Sequence, residues 1–311
     1  MTTALLFPGQ GSQYVGMLNA FDRPEETRLI SRANEILGTD LFAITQNQPS
    51  GSLDLTYWTQ PAILLASVLA LGRIRETHPF DVVLGHSLGE YSALVAAGAL
   101  SFDSALELVH KRGRFMQEAV PEGAGLMAAV LGPEREKVEE ILETVRAFGS
   151  GVVSVANDNC PGQCVIAGDR TAVLRAIDRL KESGVRKVVP LSVSVPSHTS
   201  LMHRAALSMK ELLAKVPVGS LRVPLIPNAT AIPLASGESG DQIRALLVRQ
   251  MENPVEWTRS MTTLLSEGTT RCIEVGPGSV LTGLGKRIER GLDALPHKIV
   301  WEMTDRKEEG A

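Results

Sequence analysis

Short apolar runs alternate with helix-period stretches along most of the chain. "TALLF" near the start is an unbroken apolar run that breaks at Pro8 and Gly9, as a fully buried strand would. Apolar positions at helical spacing then predict helices ending at Leu37 and running from around Pro61 to Glu76. A second strand, "DVVLG" at Asp81 to Gly85, leads straight into an alanine-rich helix, and "DSALELVHKRGRFMQEAV" is a further amphipathic helix. Strands and helices in this alternation predict an α/β fold with a largely parallel sheet.

The rhythm changes after "PEGAG". "LMAAVL", a charged helix "EREKVEEILETV", "VVSVAN", "QCVIAG", the helix "RTAVLRAIDRLKES" and "RKVVPLSV" follow in the order β-α-β-β-α-β, a ferredoxin-like unit. The expected organisation is therefore a large α/β domain made of residues 1–123 and 194–311, with a small subdomain of residues 124–193 inserted in it. Beyond that insertion the pattern predicts helix "LMHRAALSMKELLAKV", strand "VPLIPNA", helices "DQIRALLVRQM" and "PVEWTRSMTTLLSEG", and strand "RCIEVG". No internal repeat or low-complexity tract interrupts it, and "DRKEEGA" reads as a frayed tail.

Composition narrows the partners. At 311 residues, 44% hydrophobic and 21% charged, the chain is typical of a globular protein with a substantial core. A formal net charge of -4 supplies no overall basic field for nucleic acid or an anionic membrane. Cys160, Cys164 and Cys272 show neither a zinc spacing nor a disulfide framework, so no metal is expected and a reducing compartment is. With no signal-like N-terminus and no apolar run of membrane-spanning length, the sequence reads as that of a cytoplasmic protein.

The candidate chemistry begins at "GHSLG", Gly85 to Gly89, between a legible strand and a legible helix. This G-x-S-x-G pattern matches a nucleophile elbow, whose sharp turn lifts a serine oxygen to the start of a helix. Side chains at Gly85 and Gly89 would collide where strand and helix approach. A serine nucleophile needs a base. Of six histidines, His86 should leave the turn in another direction. His78 and His297 sit near loops, His110 falls on a polar helix face, and His203 lies off the inward row of its helix. His198 follows Pro196-Ser197 and is expected to open a helix whose inward row is His198, Met202, Ala205 and Met209. There the positive end of the helix dipole would keep the imidazole neutral. A helix-start histidine with a satisfied hydrogen bond fits the residues equally well.

Two further features stand out. Helical spacing puts Arg112 on the apolar stripe of Leu108, Phe115, Met116 and Ala119, where a charge is costly unless paired. No acid at matching spacing in the same helix pairs with it. That leaves an acid from elsewhere, a ligand carboxylate gripped by two parallel bonds, or a guanidinium that snorkels past its neighbours. "FPGQGSQ", Phe7 to Gln13, follows the first strand but fails as a dinucleotide fingerprint because Tyr14 stands where a third glycine is needed. It is either a tight turn or a source of backbone N–H groups that, with the amide of Leu88, would form an oxyanion hole.

Taken together, these pieces resemble the malonyl-CoA:acyl carrier protein transacylases of fatty acid synthesis and the discrete acyltransferases of polyketide synthesis. The likeness runs nearly end to end through "FPGQGSQ", "TQPAIL", "GHSLGEYSAL", "KRGRFMQEAVPEG", "NDNCPGQCVIAG", "SVPSH", "QMENPVEW" and "EVGPGSVLTGL". It implies an α/β-hydrolase-like core with a parallel sheet and an inserted ferredoxin-like subdomain. It also implies Ser87 as the acylated nucleophile, His198 as its base, Arg112 as a clamp on the malonyl carboxylate, and Gln10 and Leu88 as backbone oxyanion donors. Gln250 matches the position whose main chain orients the histidine. The implied reaction is ping-pong transfer from malonyl-CoA to the phosphopantetheine thiol of an acyl carrier protein, with no permanently bound cofactor, by a protein expected to be a monomer. The rivals are an editing acyl hydrolase, a conventional triad of Ser87, Asp293 and His297, and an inactive carrier-protein docking module. "VPSH" resembles the fatty-acid-type enzymes and leaves both the pathway and the preference among substituted malonyl groups open.

Overall fold

Two sheets organise the chain in a computed structural model, which describes residues 2–75, 77–149, 151–193, 195–292 and 299–304. Asp293 and His297 of the rival triad, Ser194 and the tail from Asp305 onward lie outside the described residues. In chain order the first part comprises β1 (Thr2–Phe7), α1 (Pro24–Leu37), α2 (Leu41–Thr45), α3 (Thr56–Arg75), β2 (Val82–Gly85), α4 (Gly89–Ala96) and α5 (Phe102–Ala119). The middle comprises β3 (Gly125–Leu131), α6 (Arg135–Ala147), β4 (Val153–Cys160), β5 (Gln163–Asp169), α7 (Arg170–Glu182) and β6 (Lys187–Pro190). The chain then continues through α8 (His203–Leu213), β7 (Leu225–Ile226), α9 (Gly240–Glu252), β8 (Val255–Glu256), α10 (Trp257–Ser266), β9 (Thr269–Glu274), α11 (Val280–Gly291) and β10 (Val300–Met303).

The larger sheet has the order β10-β9-β1-β2-β7, and every pairing is parallel. Its central strand β1 is apolar throughout because both faces are covered. Leu5 and Phe7 pack into the core under α3, α4 and α5, while Ala4 and Leu6 face Trp257, Met261 and Leu281 on the other side. Because β1 and β2 are adjacent and in register, with Phe7 opposite Gly85, the loops after them leave the sheet side by side at its carboxyl end. That is where open α/β sheets place their sites.

The smaller sheet orders its own strands β6-β3-β5-β4 with antiparallel pairing, the arrangement of a ferredoxin-like unit. One face is covered by α6 and α7, through Val138, Leu142, Ala176 and Leu180. The opposite face carries Met127, Ala129, Val165, Leu191 and Val193, and turns towards the large sheet's carboxyl end.

The structure revises several expectations. Val255 and Glu256, expected in a helix beginning at Pro254, form β8, which extends the small sheet by pairing parallel with Asn157 and Asp158 of β4. Arg135 ties this junction by binding Glu256 at 2.6 Å and Asp158 at 3.6 Å. "VPLIPNA" shrinks to the two residues of β7, and β10 and α11 were not expected at all. The helix expected to open at His198 starts at His203, after a 3₁₀ turn over Ser200–Met202. Its inward row survives without the histidine, since Met202, Ala205 and Met209 are all buried.

Candidate active site

The elbow forms because its neighbours are small. A Cβ on Gly85 would overlap the backbone of Gly89, and one on Gly89 would overlap the carbonyl of Phe7, so strand, turn and helix close only with glycine at both places. Ser87 itself adopts a left-handed φ of 49°, an unfavourable region for a side chain that surrounding structure must hold. The holders are side chains. Asn228 Oδ1 accepts from the Ser87 amide at 2.5 Å, and Gln250 Nε2 donates to the Ser87 carbonyl at 3.0 Å.

His198 Nε2 lies 2.7 Å from Ser87 Oγ, and its Nδ1 lies 2.8 Å from the Gln250 carbonyl oxygen. A carbonyl can only accept, so Nδ1 carries the proton and Nε2 presents its lone pair to the serine. The imidazole is 3% exposed. Burial first, and then the charge of Arg112, lower its pKa from 6.5 to about 3. The helix-dipole explanation offered by the sequence is thereby corrected: His198 precedes the helix, in a left-handed conformation with φ 62°, and desolvation is what keeps it neutral. Of the remaining histidines, His86 bonds Asn159, His110 bonds the Tyr57 carbonyl and His203 bonds Glu252, all away from Ser87 Oγ.

Arg112, from α5, is 1% exposed. It donates to Gln60 Oε1 at 2.8 Å, Gln250 Oε1 at 3.0 Å and Ser87 Oγ at 3.3 Å, while its Nε has no partner among the described residues. All three acceptors are neutral. Burial draws its pKa down, and Tyr91 and Glu90 draw it partly back. The guanidinium also lies over the Tyr91 ring at 5.8 Å. The direct acceptors of this buried cation are thus all uncharged, an arrangement beside the Ser87 hydroxyl that could receive an anion.

Ser87, His198, Arg112, Gln10 and Leu88 all line one cavity of about 420 Å³ between the two sheets. The Gln10 side chain is bonded to Thr56 Oγ1 at 3.5 Å. Gly9 allows the "FPGQGSQ" loop to pass against the His86 carbonyl, where a Cβ would overlap it. The small sheet closes the other wall with Met127, Ala129, Val165 and Leu191, leaving Asn157 and Asn159 as polar groups in it. Among the described residues there is no cluster of His, Cys, Asp or Glu able to hold a metal ion, and no helix long and apolar enough to cross a membrane. The three cysteines are free and buried, with burial pushing the thiols of Cys164 and Cys272 up to about 12.

Of the six residues named from the sequence, five line this cavity; the sixth, Gln250, is fully buried and bonds His198 through its carbonyl, while Gln60, Glu90 and Asn228 were not named. Gln60 lies in "TQPAIL" and Glu90 in "GHSLGEY", so both fall inside motifs that were legible as motifs. Asn228, in "LIPNA", gave no signal beyond the end of a strand.

The acyl transferase domain family model matches residues 4–305. A malonyl CoA-acyl carrier protein transacylase of Escherichia coli O157:H7 is 47% identical over 296 residues, covering 94% of each chain. The solved malonyl CoA-acyl carrier protein transacylase of Coxiella burnetii superposes with a TM-score of 0.90 at 39% identity, covering 98% of this chain and 94% of its own. A malonyl-transacylase solved in complex with a type II PKS acyl-carrier protein gives a TM-score of 0.89 at 41% identity, covering 97% and 95%.

Proposed function

The chain belongs to the acyl transferase domain family, and from that premise we propose that it is a malonyltransferase that moves malonyl from malonyl-CoA to the phosphopantetheine thiol of an acyl carrier protein. The observation that carries the acyl choice is Arg112, a buried guanidinium beside Ser87 Oγ with only neutral acceptors around it. A malonyl group brings the carboxylate this site lacks, and a guanidinium binds a carboxylate through two parallel charge-assisted bonds.

In this reading Ser87 Oγ attacks the thioester carbonyl as His198 Nε2 takes its proton, and the Gln250 carbonyl holds the tautomer that makes this possible. The Gln10 and Leu88 amides receive the oxyanion from opposite loops at the carboxyl end of the sheet. The imidazolium returns its proton to the departing CoA sulfur. In the second half-reaction the same imidazole takes the proton of the carrier thiol, whose sulfur attacks the acyl-serine, and gives that proton to Ser87 Oγ as it leaves. The apolar wall of Met127, Ala129, Val165 and Leu191 limits water at the ester, which favours thiol over hydrolysis. No resident cofactor enters these steps. The reaction belongs to the cytoplasmic supply of malonyl units for fatty acid or polyketide synthesis, and the chain is expected to act as a monomer.

The test is intact-mass analysis after incubation with malonyl-CoA and then with holo carrier protein. The expected result is a malonyl adduct on wild-type protein, absent in Ser87→Ala, that moves to the carrier thiol. An adduct that appears equally in Ser87→Ala, or that is lost only to water, would overturn the assignment.

A further inference from the structure

Glu90 lies in the first turn of α4, is 2% exposed and does not line the cavity. A carboxylate buried there must be bonded well to be tolerated. Its Oε2 accepts from the Asn228 amide at 2.9 Å and from Gln250 Nε2 at 3.0 Å. These are the two residues whose side chains hold the main chain of Ser87, and Asn228 Nδ2 also donates to the Gly85 carbonyl at 2.5 Å. One carboxylate therefore tethers both supports of the elbow.

The chemistry of the pair sets a direction. An ionised carboxylate accepts and cannot donate, so Gln250 must turn its NH₂ towards Glu90. Its carbonyl oxygen is then left to accept from Arg112 Nη2. With the amide turned round, an NH₂ would face the guanidinium and a carbonyl would face the carboxylate, two repulsive contacts in a site shielded from water. We infer that Glu90 is a positioning residue acting through the Gln250 side chain: its carboxylate, together with the Ser87 carbonyl, holds the end of the amide that Gln250 shows to Arg112, and so keeps the guanidinium ready for an acyl carboxylate. This rests on reading Ser87 as the acylated nucleophile and Arg112 as the clamp.

Burial raises the Glu90 pKa from 4.5 to about 7, against the opposing effects of the Asn228 amide, Gln250 and Arg112. The titratable groups that act on it are Arg112 from α5 and Tyr91 beside it on α4, and the neighbouring site holds His86 and His198. Tyr91 is pushed up to about 12, His198 is down at about 3, and burial lowers His86 below 6.5. Glu90, at about 7, changes charge near neutral pH. Once protonated it can donate, and the Gln250 amide is then oriented only by the Ser87 carbonyl and Arg112.

The experiment compares Ser87 loading from malonyl-CoA and acetyl-CoA, as kcat/KM, across neutral pH in wild type and in the near-isosteric Glu90→Gln. Taking the ratio of the two substrates cancels whatever the serine and histidine contribute to both. The expected wild-type ratio of malonyl to acetyl rises as pH increases through about 7. In Glu90→Gln the rise disappears and malonyl loading falls about tenfold relative to acetyl, the size of one charge-assisted contact. A flat wild-type ratio overturns the proposal whether or not the variant folds, and so does a parallel fall of both substrates in a folded variant. Wild-type protein that takes no malonyl from malonyl-CoA would instead overturn the underlying assignment, and the proposal with it.

Discussion

Ser87 and His198 meet with Oγ and Nε2 2.7 Å apart, and both hold left-handed backbone, with φ of 49° and 62°. Neither is a glycine, so each conformation carries a cost of about 1 to 3 kcal/mol that surrounding contacts must offset. For Ser87 those contacts are Asn228 and Gln250, and for His198 the Gln250 carbonyl. Ser87 and His198 are thus held by the same third residue, Gln250.

Replacing the base separates its chemical role from its electrostatic one. His198→Ala is expected to slow both loading from malonyl-CoA and unloading to the carrier thiol by about 10² to 10⁴-fold. Rapid-quench measurement of each half-reaction checks this, and an effect on unloading alone would show that His198 is not the shared base.

The same substitution has a signature in stability. With a folded pKa of about 3 and an ordinary value of 6.5, the unfolded chain binds a proton at His198 that the folded protein refuses between those values. Wild type should therefore lose stability as pH falls from 6.5 towards 3, while His198→Ala lacks this contribution. Melting temperatures of both proteins over that range should show the gap closing in favour of the variant as the solution becomes more acid.

Arg112→Ala should lower malonyl kcat/KM by roughly tens to hundreds of fold, equivalent to about 2 to 4 kcal/mol. Acetyl transfer should be spared or improved, because acetyl has no carboxylate to lose and the unpaired buried guanidinium is gone. Specificity constants for both acyl-CoAs, with the melting temperature, distinguish this from a structural arginine, for which both substrates and stability would fall together.

Gln60 supplies the shortest of the three acceptors around Arg112, at 2.8 Å. Gln60→Leu keeps most of the volume but removes that acceptor, leaving one more guanidinium N–H unsatisfied, a loss of about 1 to 3 kcal/mol. Malonyl loading is expected to fall more than acetyl loading, as read by the same pair of specificity constants. Equal loading of malonyl by the variant and wild type would show that Gln60 does not support the clamp.

Gly89→Ala tests the elbow as a packing problem. The added methyl would overlap the Phe7 carbonyl, which belongs to a central strand and cannot retreat freely. A loss of about 3 kcal/mol is expected from forcing the helix away from the sheet. Chemical denaturation measures it, and a variant as stable as wild type would show that the close approach is not required.

Local rules made a large part of this protein legible in its sequence. The apolar run of β1, the glycines around Ser87, the β-α-β-β-α-β rhythm and the apolar stripe carrying Arg112 depend on periods and turns only a few residues long. Such patterns act before any distant contact forms. The tertiary structure decided what distant segments do to one another. His198 and Gln250 reach Ser87 across 111 and 163 positions of chain, and the roles of Gln60, Glu90 and Asn228 exist only once α3, α4 and the loop after β7 are packed together. The short strands β7 and β8 likewise owe their form to the neighbours they pair with, since two residues carry no strand period of their own. The neutrality of His198 belongs to the same class: the sequence pointed to a helix end, but the cause is burial beside Arg112, and burial is a property of the folded assembly of segments that no single stretch encodes.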